Sequence, residues 1–306
     1  MNILISGGTG MIGEKLTRLL TEQKHQVYIL TRHPQQTEST YIHFITWQPP
    51  SYQKVLQQLQ ENNIVIDVIY NLSGAPIGPR RWTSAVKKEI RNSRIDSTKA
   101  LVELVHHLEH KPSVWVNASA IGGYEPSSTV YDDTKDYPYA KDFLGSVVKD
   151  WEQATAPLSQ YDIRVIYSRF GLILDSDKGA FPPLLKSSKL GAGGKIADGN
   201  QWYSWIHIDD CIKALAFVVT VEAFAGVVNF TSIDAVRQHE FAKELGDILH
   251  RPTFIPVPRF AINTVFGESA MLVTKGQHAV PTKLTQNGFI FKYPTLRQAL
   301  IDLTNK

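Results

Sequence analysis

The sequence predicts an α/β chain built on a doubly wound parallel sheet, with a smaller C-terminal substrate lobe. Short apolar runs alternate with helical patterns from Met1 to about Thr231. Several of these runs are rich in Val and Ile with little polar alternation, the pattern of parallel strands covered on both faces. A glycine-rich turn, Gly7-Gly8-Thr9-Gly10-Met11-Ile12-Gly13, joins the first strand to the first helix.

In order, strands are expected at Asn2–Ser6, Gln26–Thr31, Ile64–Asn71, Val114–Ala118, Ile163–Arg169 and Val227–Thr231, with a weaker one at Ile42–Trp47. Amphipathic helices fall between them, among them Glu14–Gln23 and a long helix from about Trp82 to His107. Strands separated by helices imply βαβ units. From Pro252 onward, prolines 252, 256, 258, 281 and 294 punctuate short segments. The expected division is a dinucleotide-binding domain over 1–250, lending a segment at about 175–205 to the substrate lobe, and a small C-terminal domain over 251–306.

Composition narrows the function classes. The chain has 306 residues, 43% of them hydrophobic, and a net charge of +3. That charge is too small to argue for nucleic acid or an anionic membrane. The single cysteine, Cys211, cannot form an internal disulfide. No apolar run reaches the roughly 18 residues of a membrane span. The expected setting is cytoplasmic and the expected partner a small-molecule substrate, with no nucleic acid and no membrane; a homodimer stays open.

The glycine turn carries the strongest chemical signal. Glycine supplies backbone angles closed to other residues and lets the chain approach a pyrophosphate, which the helix N-terminus receives with unpaired N–H groups. In this strand–turn–helix context the run reads as a Rossmann dinucleotide site. The second strand ends in Leu30-Thr31-Arg32. An NAD site places an acidic residue there for the ribose 2′-OH; a hydroxyl and a guanidinium suit the 2′-phosphate of NADP. The fourth strand ends in Asn71-Leu72-Ser73-Gly74, at the sheet edge where the cofactor crosses. The expected contacts are therefore Gly7, Thr9, Gly10, Met11, Ile12, Gly13, Thr31, Arg32, Asn71, Leu72, Ser73 and Gly74. Arg169, at another strand end, either joins them or forms a buried ion pair.

The glycine run, Asn71–Gly74, Ser119 after a strand, Arg169-Phe170-Gly171 and Trp205-Ile206-His207-Ile208-Asp209-Asp210 resemble, in this order, the extended short-chain dehydrogenase/reductases of the epimerase/dehydratase group. Arg80-Arg81-Trp82, Ile90–Arg94, Asp142-Phe143-Leu144, Trp151-Glu152 and the tail from Arg251 to about Leu300 are similar to one atypical branch, the epimerase family proteins labelled SulA-like. The resemblance implies a Rossmann fold and NADP binding with an undetermined substrate. No residue supports a role in cell division.

The resemblance also implies a catalytic set in which a Tyr hydroxyl acts as acid/base, a Lys one helical turn later lowers its pKa, and a Ser orients the substrate oxygen. Tyr137 and Lys141 have the i, i+4 spacing, and Ser119 lies upstream. Because Pro138 must sit at or before the first helical turn, Asp132–Tyr137 reads equally as a polar loop. His207 with Asp209 and Asp210 reads as a helix start capped by an aspartate, and no metal is expected. Arg80 and Arg81 reach a cofactor phosphate or are solvated; Trp47 leans on the adenine or joins the core. The stretch from Gly191 to Trp205 reads as a mobile loop over the site. Tyr203 stands where the sugar-nucleotide epimerases keep a phosphate-binding Arg; with Trp202 and Trp205 it favours a flatter or more apolar ligand.

Overall fold

The computed structural model describes residues 1–78 and 80–305. The central strands are β1 (Asn2–Ser6), β2 (Gln26–Thr31), β3 (Ile42–Thr46), β4 (Val68–Asn71) and β5 (Val114–Ala120). The short β6 (Val130–Asp132) precedes β7 (Arg164–Phe170), and β8 (Leu172–Leu174), β9 (Trp202–Tyr203) and β10 (Trp205–His207) precede β11 (Gly226–Phe230). Last come β12 (Val236–Arg237) and β13 (His278–Val280). Seven strands form one parallel sheet in the order β11-β7-β5-β4-β1-β2-β3. The order reverses direction beside β1, so the C-terminal ends of β1 and β4 open a crevice there.

The missing polar alternation has a direct cause. Ile3 and Ile5 point to one face, where Leu16 and Leu20 of α1 (Met11–Glu22) and Leu215 and Val218 of α6 (Ile208–Thr220) cover them. Leu4 and Ile69 point to the other, under Leu59 of α2 (Gln53–Glu61) and Leu101 and Leu104 of α3 (Ser84–His107). Helix α1 begins three residues before its expected start because the glycine turn itself leads into it, with Gly10 as N-cap. Helix α3 starts after Thr83, whose hydroxyl accepts the N–H of Val86 at 3.3 Å. Strand β4 is shorter than expected: only Val68–Asn71 pair. Trp47 is core, its Nε1 donating to the Ser51 carbonyl at 2.8 Å.

The C-terminal residues do not keep a core to themselves. Leu296, Leu300 and Leu303 share one apolar cluster with Phe181, Trp205 and Leu245. Strand β13 pairs with β6. The stretch expected as a mobile loop is pinned: Val257 N–H donates to the Lys195 carbonyl at 2.8 Å and Ala197 N–H to the Val257 carbonyl at 2.9 Å. Tyr203 and Trp205 are 6% and 0% exposed. They serve the core: the Tyr203 ring packs edge-on against Phe241 of α7 (Gln238–Leu249), centroids 5.5 Å apart, and Trp205 Nε1 donates to the Asp234 carbonyl at 2.5 Å.

Candidate functional site

The glycine turn forms a cradle whose shape excludes side chains. Gly7 has φ +74°, and a Cβ there would stand 2.7 Å from the Leu72 carbonyl. A Cβ on Gly13 would lie 2.3 Å from the Gly7 oxygen. These two glycines let the turn fold against β4 and α1 start beneath it. Gly10 differs: only the Gly7 oxygen, at 3.3 Å, lies near its Cβ direction. Thr9 and Gly10 are exposed, and no side chain caps α1. The N–H groups of Met11, Ile12 and Gly13 have no acceptor within the helix and face the crevice end of β1. An anion-accepting cradle with room above it fits a dinucleotide pyrophosphate.

Strand β2 ends beside this cradle. The Thr31 hydroxyl accepts the His33 N–H at 3.2 Å and shapes the turn. Arg32 is exposed and makes no ion pair among the described residues, and no acid stands at the strand end. Loop 72–78 forms the opposite wall. Leu72 N–H donates to the Ser6 carbonyl at 3.0 Å, and Leu72 and Ser73 are half-buried. Beneath Gly74 lies Arg94, donating to the Ala75 and Ile90 carbonyls at 3.1 and 2.8 Å, its guanidinium 5.0 Å from the Trp151 ring. Burial lowers its pKa to about 10, so it keeps its charge at neutral pH.

Several expectations change. Asn71 is fully buried and contacts no ligand space with its side chain. Its amide accepts from Ser6 Oγ at 2.8 Å and donates to Thr98 Oγ1 at 2.7 Å and Asn117 Oδ1 at 2.8 Å, tying β1, α3 and β5 together. Arg169 is 4% exposed and committed to Glu152 through Nε at 2.9 Å and Nη2 at 2.8 Å. The ion pair, not a cofactor contact, is what forms.

The Tyr137/Lys141 dyad does not form. Residues 136–140 are irregular, and α4 (Phe143–Gln153) starts only after Asp142, which caps it by accepting the Gly145 N–H at 3.0 Å. Pro138 keeps the chain extended, so Tyr137 and Lys141 share no helical face. The Tyr137 ring packs edge-on against Tyr124 and Tyr131, and its hydroxyl donates to the Val130 carbonyl at 3.3 Å. Lys141 is exposed. Helix α4 contains no tyrosine.

A different cluster occupies that end of the sheet. Glu152, on α4 and 3% exposed, accepts from Ser119 Oγ at 2.5 Å, from the Tyr139 hydroxyl at 2.7 Å and from both Arg169 donors. The guanidinium also lies 4.6 Å from the Tyr124 ring and 5.4 Å from the Tyr139 ring. Burial alone would depress Arg169; the hydrogen bonds and charge of Glu152 outweigh it and hold its pKa above the ordinary value. Burial, then the adjacent Glu152 charge, push Tyr139 well above the usual phenol range. Ser119 is 2% exposed and Tyr139 half-buried, so only the tyrosine offers open surface. The roles of Glu152 and Tyr139 escaped sequence reasoning, although Trp151-Glu152 stood among the resembling segments, because no spacing rule links either residue to Ser119.

The remaining candidates resolve simply. Arg80 pairs with Glu89 at 2.8 Å, and Arg81 lies beside Gly267. Helix α6 is capped by His207, not by an aspartate: its Nδ1 accepts the Asp209 N–H at 3.0 Å. Asp210 instead accepts the N–H groups of Lys292 and Tyr293 at 2.7 and 2.9 Å. No group of three metal-ligating side chains exists among the described residues. Among them, too, no helix is long and apolar enough to cross a membrane.

Known proteins share this architecture along its whole length. An epimerase family protein of Staphylococcus saprophyticus is 38% identical over 304 residues, covering 99% of both chains. A chloroplastic homologue from Arabidopsis thaliana is 35% identical, covering 98% of this chain and 86% of its own. Among solved structures, human epimerase family protein SDR39U1 with NADPH superposes with a TM-score of 0.87 at 30% identity, covering both chains fully. The UDP-glucuronic acid 4-epimerase of Bacillus cereus, with UDP-glucuronic acid and NAD, shares the fold at 20% identity and a TM-score of 0.78 over 100% of this chain and 99% of its own. A domain of unknown function, DUF1731, matches residues 257–303. With residues 3–229 matching its profile, the chain belongs to the NAD dependent epimerase/dehydratase family.

Proposed function

We propose that this chain is an NADP(H)-binding oxidoreductase acting on a small carbonyl or alcohol. The observation that carries the reading is the end of β2, where Thr31 and an exposed Arg32, with no ion pair among the described residues, replace the acid that would select NAD. The human relative solved with NADPH supports the same choice. Gly7, Gly10 and Gly13 would let the backbone meet the pyrophosphate, with the N–H groups of Met11 and Ile12 donating to it. Bound there, the cofactor supplies or accepts hydride. Tyr139 holds its proton at neutral pH, because burial and Glu152 oppose the phenolate. Its hydroxyl, which donates to Glu152 at 2.7 Å, would turn to the substrate oxygen and give up its proton as the carbonyl carbon receives hydride, and the reverse transfer would serve alcohol oxidation. Glu152 and Arg169 are positioning residues that fix the two hydroxyls.

A second reading, a protein that binds NADPH as a signal and turns nothing over, draws on a specific observation. Both candidate hydroxyls are already bonded to Glu152, and among the described residues no lysine hydrogen-bonds to either. NADPH oxidation across a panel of aldehydes and ketones separates the two. The oxidoreductase reading expects turnover that Tyr139→Phe slows and Tyr137→Phe leaves unchanged. No turnover over a broad panel, with NADPH binding intact, selects the sensor.

A further inference from the structure

Helix α5 (Phe181–Lys189) with the turn after it, and the segment 251–266 that ends in α8 (Arg259–Phe266), meet at one edge of the molecule. Arg251 Nε donates to the Lys189 carbonyl at 3.1 Å, and the Lys195–Val257 backbone bond ties the same two stretches. Large apolar side chains project from this edge into solvent: Leu190 is 75% exposed, Phe254 79%, Ile255 52%, Phe260 73% and Val265 61%. Lys186, Lys189, Lys195, Arg251 and Arg259 are exposed among them. Neither 181–195 nor 251–266 contains an acidic residue; the nearest along the chain are Glu268, whose charge is paired with Lys87, and Asp198, Asp177 and Asp247. A shallow groove of about 320 Å³ between Pro182, Leu185 and Leu190 carries Lys186 and Lys189 on its rim.

We propose that this edge is a docking surface for an anionic membrane. Isolated phenylalanines and leucine interleaved with lysine and arginine are the composition of interfacial elements that sink aromatic side chains below the headgroups while basic groups pair with lipid phosphates. A second copy of the chain fits less well, because protein interfaces deplete lysine at their centres and a copy would bring the same positive charge to the contact. The whole-chain charge of +3 concealed this. Folding draws five cations to one edge, so the proposal departs from the expectation of no membrane partner. It does not depend on the identity of the cofactor.

Sedimentation of the full chain with phosphatidylcholine vesicles, with and without phosphatidylglycerol, tests it. The protein should pellet only with the anionic vesicles and be released by high salt, a reading that needs no variant. Phe254→Ser with Phe260→Ser should abolish pelleting. Lys186→Ala with Lys189→Ala should weaken it about fivefold per charge removed. NADPH binding should be unchanged in both. Failure to pellet with phosphatidylglycerol, or pelleting indifferent to salt and to both variants, overturns the proposal. So does concentration-dependent self-association that the phenylalanine variant removes while the vesicles stay empty; that result assigns the edge to a second copy.

Discussion

The two ends of the crevice are built on opposite principles. The glycine cradle after β1 leaves its polar groups open: exposed Thr9 and Gly10, an α1 with no side-chain cap, and an exposed Arg32 with no ion pair among the described residues. The Ser119–Glu152–Arg169 cluster after β5 and β7 is closed, each group satisfied by another and nearly buried. An open cradle costs little to maintain because water serves its donors until a ligand arrives. A closed ionic cluster is rigid, and removing one member strands the rest away from water. Binding should therefore be sensitive to the first region and folding to the second.

The largest effect is expected in the closed region. Glu152→Ala should destabilise the fold by about 3–5 kcal/mol in urea denaturation, because Arg169 is left as an uncompensated buried charge. Pairing it with Arg169→Met should restore much of that loss; equal destabilisation by single and double variants would show that the pair is not the unit of stability. In the open region, Gly13→Ala should eliminate dinucleotide binding and cost about 1–3 kcal/mol of stability, since its Cβ meets backbone rather than a movable side chain. Retained binding would mean that the cradle is not the phosphate site.

A smaller effect concerns the strap beyond β8. Asp175 is buried, accepts the N–H groups of Asp177 and Lys178 at 2.8 and 3.0 Å, and pairs with Lys15 of α1 at 3.1 Å. Burial alone would raise its pKa, but the two backbone donors and then Lys15 prevail, and the folded value lies below the ordinary one. Its stabilisation is present above the unfolded pKa of about 3.9 and is lost as pH falls through the folded value. Asp175→Asn should flatten that part of the acid denaturation curve; an unchanged curve would exclude it. Tyr137→Phe and Lys141→Ala should be the mildest, within about 0.5 kcal/mol of the parent.

The same comparison explains what the sequence made legible. Cradle geometry is local: one strand, one turn and the first turn of one helix lie in thirteen residues, and the steric demand at Gly7 and Gly13 is written as glycine. The sheet was legible because strands covered on both faces cannot alternate. The closed cluster was not, because Glu152 meets Ser119 across 33 positions and Tyr139 lies in irregular chain. The i, i+4 spacing of Tyr137 and Lys141 misled because spacing fixes a face only within a helix, and Pro138 holds this stretch outside one. Tyr203 and Trp205 misled differently, since residues suited to an apolar ligand are also those that fill a core.

Titration calorimetry of the cofactor-free protein with NADPH and with NADH, repeated on Arg32→Ala, tests the central claim most directly. The account predicts a preference for NADPH that falls about tenfold to a hundredfold in the variant, the worth of one hydrogen-bonded charge on the 2′-phosphate. Equal affinity for the two cofactors, or a preference that survives the loss of Arg32, would contradict it.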